Sequence, residues 1–165
     1  MNLTLHLIRH ASAAERGPNY PDDSKRPLSG KGLKQSQALC KFFKTLKLDP
    51  DRLFSSPYTR AAQTAEALET LLKKGPSHYL NSLADDDYDK LLADVHAGLE
   101  PQDKTIALVG HEPYLSELAS YLLSGQSSTL SINFRKAALM TLRGRLAPKQ
   151  MQLQWLVPSS IYKHL

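Results

Sequence analysis

A single cysteine, Cys40, leaves no internal disulfide framework to hold this chain together. Such sparse cysteine use points to a reducing compartment. Cys40 lies in a helical pattern and is expected to be a small buried side chain rather than a nucleophile. No apolar run approaches the length of a membrane span, and the first residues do not read as a cationic leader with a cleavage site. A cytoplasmic protein without membrane contact is therefore expected. There is no P-loop, no Gly-rich dinucleotide fingerprint and no Cys/His spacing for zinc, so no cofactor and no metal are expected. Aromatic residues make up 7% of the chain and form no RNA-binding motif; with no long basic helix either, nucleic acid is not an expected partner. Internal repeats, low-complexity tracts and interdomain linkers are also missing.

What remains is an ordinary globular composition, 41% hydrophobic and 22% charged, in 165 residues. Residues 1–165 are expected to form one domain with a sizeable core, and charge alone points to anionic partners. The net charge of +5 favours phosphates or acidic proteins without choosing between them. Arg135, Lys136, Arg143, Arg145 and Lys149 form a mild basic cluster that reads as a solvated face. The chain is expected to be a monomer.

The residues that organise the chain are Leu3 to Ala11. An apolar, strand-length run ends in Arg9-His10, after which residues 11–28 are polar and rich in turn residues. In open α/β sheets the C-terminal edge of the strands is where ligands bind. The plainer alternative is a buried strand whose last residues surface. The loop over 11–28 is long enough to expect a rim of the site. Ser29 is placed to cap a helix with Leu39, Phe42, Phe43 and Leu46 on one face. A short strand over 53–56 is followed by a helix expected from about 59 to 73, and a third strand is expected over 77–80. Arg60, in the first turn of that helix, opposes the helix dipole. It is explained either by a ligand or by pairing with a carboxylate.

Asp85, Asp86 and Asp87 precede a helix bearing Tyr88, Leu91, Leu92 and Val95. They suit a helix N-terminus, and are also the residues from which a catalytic acid could come. The clearest buried strand is Thr105 to Val109, followed at once by Gly110-His111-Glu112-Pro113 and a further helix. With Pro113 at the first helical position, His111 sits beside amides that form a natural anion site. Two last strands, over 137–142 and 152–157, read as a hairpin or an antiparallel edge. Helical patterns alternate with apolar runs, so the expected fold is a three-layer α/β/α domain with a mostly parallel central sheet.

Arg9, His10, Arg60 and His111 thus fall at strand ends or in the helix starts just after them, and converge if the strands are parallel neighbours. Two arginine forks match phosphate oxygens, and two imidazoles supply a nucleophile and a second donor. The set points to phosphoryl transfer through a covalent histidine.

Four segments carry a resemblance: Leu7-Ile8-Arg9-His10-Ala11, Pro27-Leu28-Ser29-Gly30-Lys31-Gly32, Ser55 through Thr64, and Val109-Gly110-His111-Glu112-Pro113. In order and spacing they resemble the histidine phosphatase superfamily, which includes the phosphoglycerate mutases. Within it, the chain looks most like the small SixA-type phosphohistidine phosphatases. The resemblance implies a phosphoglycerate mutase-like fold and a metal-independent phosphatase. It implies that His10 is the phosphorylated nucleophile, that Arg9 and Arg60 bind phosphate, and that His111 is the second pocket histidine. Phosphate, sulfate or vanadate should occupy such a pocket.

Two departures from the family pattern stand out. The usual Arg-His-Gly reads Arg9-His10-Ala11, and the loop is expected to adapt to the methyl group. Larger members carry an insertion with an acidic residue that protonates the leaving group, and this chain has no room for it. Imidazole, with a pKa near ~6.5, leaves readily once protonated, so the short chain favours phosphohistidine in a partner protein. The alternatives are small phosphate monoesters, or a non-catalytic phosphate-binding relative.

Overall fold

The computed structural model describes residues 2–85 and 87–164. Asp86, one of the three acid candidates, lies outside the described residues. Ten principal elements follow one another: β1 (Asn2–Arg9), α1 (Gly30–Leu46), β2 (Arg52–Ser55), α2 (Thr59–Glu66), β3 (His78–Tyr79), α3 (Tyr88–Ala97), β4 (Thr105–Gly110), α4 (Tyr114–Ser124), β5 (Leu139–Arg145) and β6 (Met151–Val157). The strands form one sheet in the order β3-β2-β4-β1-β5-β6. β1, β2, β3 and β4 pair in parallel, whereas β5 runs antiparallel to β1 and to β6.

Alternation along the central strands divides the core into two layers. Ile106 and Leu108 of β4 pack with Leu3, Leu5 and Leu7 against α3 and α4. Ala107 and Val109 point the other way, with Ile8 and Leu53, onto α1 and α2. The mostly parallel sheet between two helical layers is the expected α/β/α architecture. Both faces of β1 and β4 are covered, which explains the apolar run Ile106–Val109 in β4 and the burial of His6 as well as the leucines in β1.

Several local expectations need correction. The helix expected over 59–73 stops at Glu66, and a separate 3-10 turn covers Glu69–Leu71. There the Leu68, Leu71 and Leu72 amides bond three residues back, to Ala65, Leu68 and Glu69. The chain tightens because Leu68 and Leu71 both turn into the α1–α2 core layer, and Lys73 N–H then reaches Pro50. The strand expected over 77–80 shortens to two residues. Leu46, the last residue of α1, is 43% exposed and lies outside the core layer that holds Leu39, Phe42 and Phe43. Cys40 is only partly buried, beside Thr70.

Ser29 does cap α1, accepting from Gly32 N–H at 3.2 Å. The basic cluster is divided: Arg143 and Arg145 pair with the start of β1, while Lys136 precedes β5 at the opposite end. Among the described residues no helix is long and apolar enough to cross a membrane.

Candidate active site

The site is assembled at the C-terminal edge of three adjacent strands, β2, β4 and β1. His10 N–H donates to Gly110 carbonyl at 3.0 Å, and Ser56 N–H to Val109 carbonyl at 2.9 Å. The end of β4 therefore fastens the residues that leave β1 and β2, and His111 follows directly. The His10 and His111 rings lie 5.1 Å apart between centroids. The Tyr58 ring also packs on His111, at 4.9 Å between centroids, and the Arg60 guanidinium stacks over Tyr58 at 5.1 Å. Arg9 reaches across to donate through Nη1 to the Phe134 carbonyl at 2.9 Å.

Among the described residues, three buried side-chain nitrogens have no hydrogen-bond partner: Arg9 Nε, Arg60 Nε and His111 Nδ1. All three belong to this cluster. A buried donor without a partner costs free energy, so three in one place mark where an acceptor-rich group fits. Arg9, Arg60, His10 and His111, singled out in the sequence, are the residues brought together.

His10 is held by its own neighbour. Its Nδ1–H donates to the Ala11 carbonyl at 2.7 Å, which leaves Nε2 with its lone pair. Burial lowers its pKa to about 3, the Ala11 bond opposes this, and the charges of His111, Arg60 and Arg9 add to it. Burial, then Arg60, lowers His111 to about 4. Both rings are neutral at neutral pH, so no imidazolium repels the arginines.

Arg60 has the carboxylate partner that was the alternative reading of its position. Its Nη1 donates to the Asp23 carbonyl at 2.7 Å and its Nη2 to Asp23 Oδ2 at 3.0 Å. Asp23 lies in the 11–28 loop, which therefore does form a rim. Its carboxylate also meets Arg26 at 3.0 Å and Arg16 at 3.3 Å. Burial acts against that charge, but Arg60, Arg26 and Arg16 outweigh it and hold the carboxyl below its usual range. Lys136 is pushed down by burial and by the nearby Arg9, Arg26 and Arg60 charges. The mouth of the site is thus densely cationic.

Two sequence expectations are not met here. The α4 amides are not an open anion site. Leu115 N–H donates to the His111 carbonyl, Ser116 N–H to Glu112 Oε1 and Glu117 N–H to the Pro113 carbonyl. Pro113 is the cap residue rather than the first helical one. Of the acid candidates among the described residues, Asp87 caps α3 through Lys90 N–H at 2.9 Å and Asp85 pairs with Lys90 at 3.3 Å. Ala11 fits without strain. It is fully buried against Leu28 and Ala137, and the positive-φ non-glycine residues are Lys47, Ala137 and Lys149.

A model of the histidine phosphatase superfamily, branch 1, matches residues 5–91. The chain belongs to that superfamily. An uncharacterized protein of Picosynechococcus sp. is 31% identical over 146 residues, covering 88% of this chain and 87% of that one. Among solved structures, the protein histidine phosphatase SixA complexed with tungstate superposes with a TM-score of 0.80 at 22% identity. That match covers 96% of this chain and 98% of the other. The alpha-ribazole phosphatase of Shigella flexneri gives 0.75 at 16% identity, over 95% and 97% of the two chains. The fold is thus shared by superfamily members named for different substrates.

Sequence reasoning passed over Ser56, Asp23 and Thr64 as individual residues. Ser56 Oγ lies 2.7 Å from His111 Nε2. Thr64 Oγ1 accepts from Ala11 N–H at 3.1 Å and donates to the Arg60 carbonyl at 2.7 Å. Thr64 carried a signal, since it falls one helical turn after Arg60 on the same face. Asp23 carried none beyond its place in a loop: Arg16 and Arg26 lie in that same loop, but the partner that ties it to the site, Arg60, comes from α2. A cleft of about 620 Å³, lined by Asp87, Tyr88, Asp89 and Tyr121, lies elsewhere. Chemistry rather than cavity size locates the candidate site. Among the described residues no group of three or more His, Cys, Asp or Glu side chains is arranged to hold a metal ion.

Proposed function

We propose that this chain is a phosphatase that works through a phosphohistidine on His10, with phosphohistidine in a partner protein as its substrate. The observation that carries the reading is the His10 ring itself. Its Nδ1–H is committed to the Ala11 carbonyl, beside a pocket with three unpartnered nitrogens from Arg9, Arg60 and His111. Nε2 attacks phosphorus in line with the bond to the leaving nitrogen. That P–N bond breaks as the P–Nε2 bond forms, and the leaving imidazole departs carrying its proton. Arg9, Arg60 and His111 hold the phosphoryl oxygens through the transfer. Water then attacks the phosphohistidine, inorganic phosphate leaves, and His10 returns to its neutral form.

The substrate class follows from leaving-group chemistry. An alkoxide departs badly without an acid, whereas imidazole has a pKa near ~6.5 and departs once protonated. Asp23 is held ionised by its arginines, and Asp85 and Asp87 serve Lys90 and the start of α3. Glu112, whose carboxyl is raised by burial, has both oxygens occupied by Ser116. These engagements support a phosphoramidate over a sugar phosphate.

The test is rapid-quench labelling with a radiolabelled phosphohistidine domain, followed by peptide mapping. Acid-labile, base-stable label on His10, lost together with turnover in His10→Ala, is the expected result. Label on Ser12, Cys40 or an aspartate, or wild-type turnover in His10→Ala, refutes the mechanism. A panel of a phosphohistidine domain, free phosphohistidine and sugar phosphates should rank the first highest in kcat/KM. Vanadate should compete with each of them.

A further inference from the structure

His111 is neutral in the folded protein, so what it presents to the pocket depends on which nitrogen carries the proton. A neutral imidazole is a donor at one nitrogen and an acceptor at the other. Nδ1 is buried and without a partner, in the same cluster as Arg9 Nε and Arg60 Nε. Nε2 lies 2.7 Å from Ser56 Oγ. The hydrogen-bonding state of that hydroxyl decides the tautomer.

Ser56 Oγ already accepts from Tyr58 N–H at 3.3 Å, and the Ser56 side chain sits at the sheet edge with no exposed surface. Its one proton has a single acceptor within reach in this set of bonds, His111 Nε2. With Nε2 accepting, the imidazole proton resides on Nδ1, and the unpartnered buried atom is an N–H donor. The opposite tautomer would bury a bare lone pair at Nδ1, facing any anion held by the two arginines. The His10 and Tyr58 rings both pack on the His111 ring and restrict its rotation, so the tautomer sets the direction of the donor.

We infer that Ser56 is a positioning residue that holds His111 as the Nδ1–H tautomer, presenting one neutral donor beside the two arginines to an oxyanion. What that donor meets rests on the phosphoryl-site reading above; the tautomer does not. A donor without formal charge stabilises the equatorial oxygens while leaving the His10 lone pair unprotonated.

The experiment is long-range proton–nitrogen correlation of the imidazole rings in uniformly nitrogen-labelled protein at neutral pH. In the wild type, His111 should show a protonated Nδ1 and an unprotonated Nε2. Ser56→Ala should move His111 toward the Nε2–H form and weaken vanadate binding by roughly tenfold, the scale of one neutral hydrogen bond. Ser56→Thr, which keeps the hydroxyl, should retain the wild-type nitrogen pattern. An unprotonated Nδ1 in the wild type overturns the proposal without need of any variant. So does an unchanged tautomer in Ser56→Ala, or a changed tautomer with unchanged vanadate affinity. Label absent from His10 in the quench experiment would instead count against the catalytic reading and leave the nitrogen pattern as it was measured.

Discussion

Replacing Thr64 with valine isolates one buried hydroxyl on which the site depends. Valine has almost the same shape, so no cavity opens and the substitution removes hydrogen bonds alone. The Ala11 N–H loses its acceptor at 3.1 Å, in a residue with no exposed surface. Leaving such a donor unpaired costs about 1–3 kcal/mol. A domain of this size is stable by roughly 5–15 kcal/mol, so the loss is a substantial share. With a urea slope of roughly 2 kcal/mol/M, the unfolding midpoint should fall by about 0.5–1.5 M. The residue affected, Ala11, is the one whose carbonyl holds His10 Nδ1 through the next peptide group. Turnover should therefore fall as well, by roughly tenfold, as the nucleophile loses its fixed direction. The assay is urea unfolding followed by the fluorescence of Trp155, paired with phosphohistidine turnover. Thr64→Ser keeps the hydroxyl and serves as the control for lost methyl packing. A Thr64→Val midpoint equal to that of Thr64→Ser, with unchanged turnover, would refute the argument.

Further outcomes follow from the same geometry. His6, buried against Thr141, has a pKa lowered by burial to about 4 from 6.5. Its stabilisation is complete above pH 6.5 and is lost as pH falls toward 4, by about 3 kcal/mol at most. Urea midpoints for His6→Gln should vary less than wild type across that window, and a parallel pH dependence would contradict the assignment. In Gly32→Ala the new Cβ would meet the Ser12 carbonyl oxygen at 1.9 Å, whereas Gly30→Ala would meet nothing within 4 Å. Thermal unfolding should show a loss of about 1–3 kcal/mol or more for the first and none for the second. Asp23→Asn removes the carboxylate that occupies the Arg60 fork. Vanadate inhibition should tighten by roughly tenfold, and a weaker inhibition would show that Asp23 serves to aim the arginine.

The layered order of strands and helices was legible because each element carries a period. β1 and β4 read as strand-length, predominantly apolar runs, and α1, α3 and α4 as apolar stripes with recognisable caps. The four residues at strand ends were legible for the same reason: placing Arg9, His10, Arg60 and His111 needs only the ends of elements. The break in the helix after Glu66 was not legible. Leu68 and Leu72 continue the helical spacing, and only packing against α1 and the return to Pro50 end it early.

The sequence by itself determined the element types and the strand-edge location of two histidines and two arginines. Tertiary structure alone decided which partner each polar atom found. Asp23 closes on Arg60 across 37 positions, Ser56 reaches His111 across 55, and Thr64 reaches Ala11 across 53. Hydrogen bonds are short-ranged and directional, so they are specified by atomic positions that no local spacing encodes. The same packing leaves three pocket nitrogens, Arg9 Nε, Arg60 Nε and His111 Nδ1, without partners. Periodicity is a property of neighbours along the chain, whereas the chemistry of this site belongs to neighbours in space.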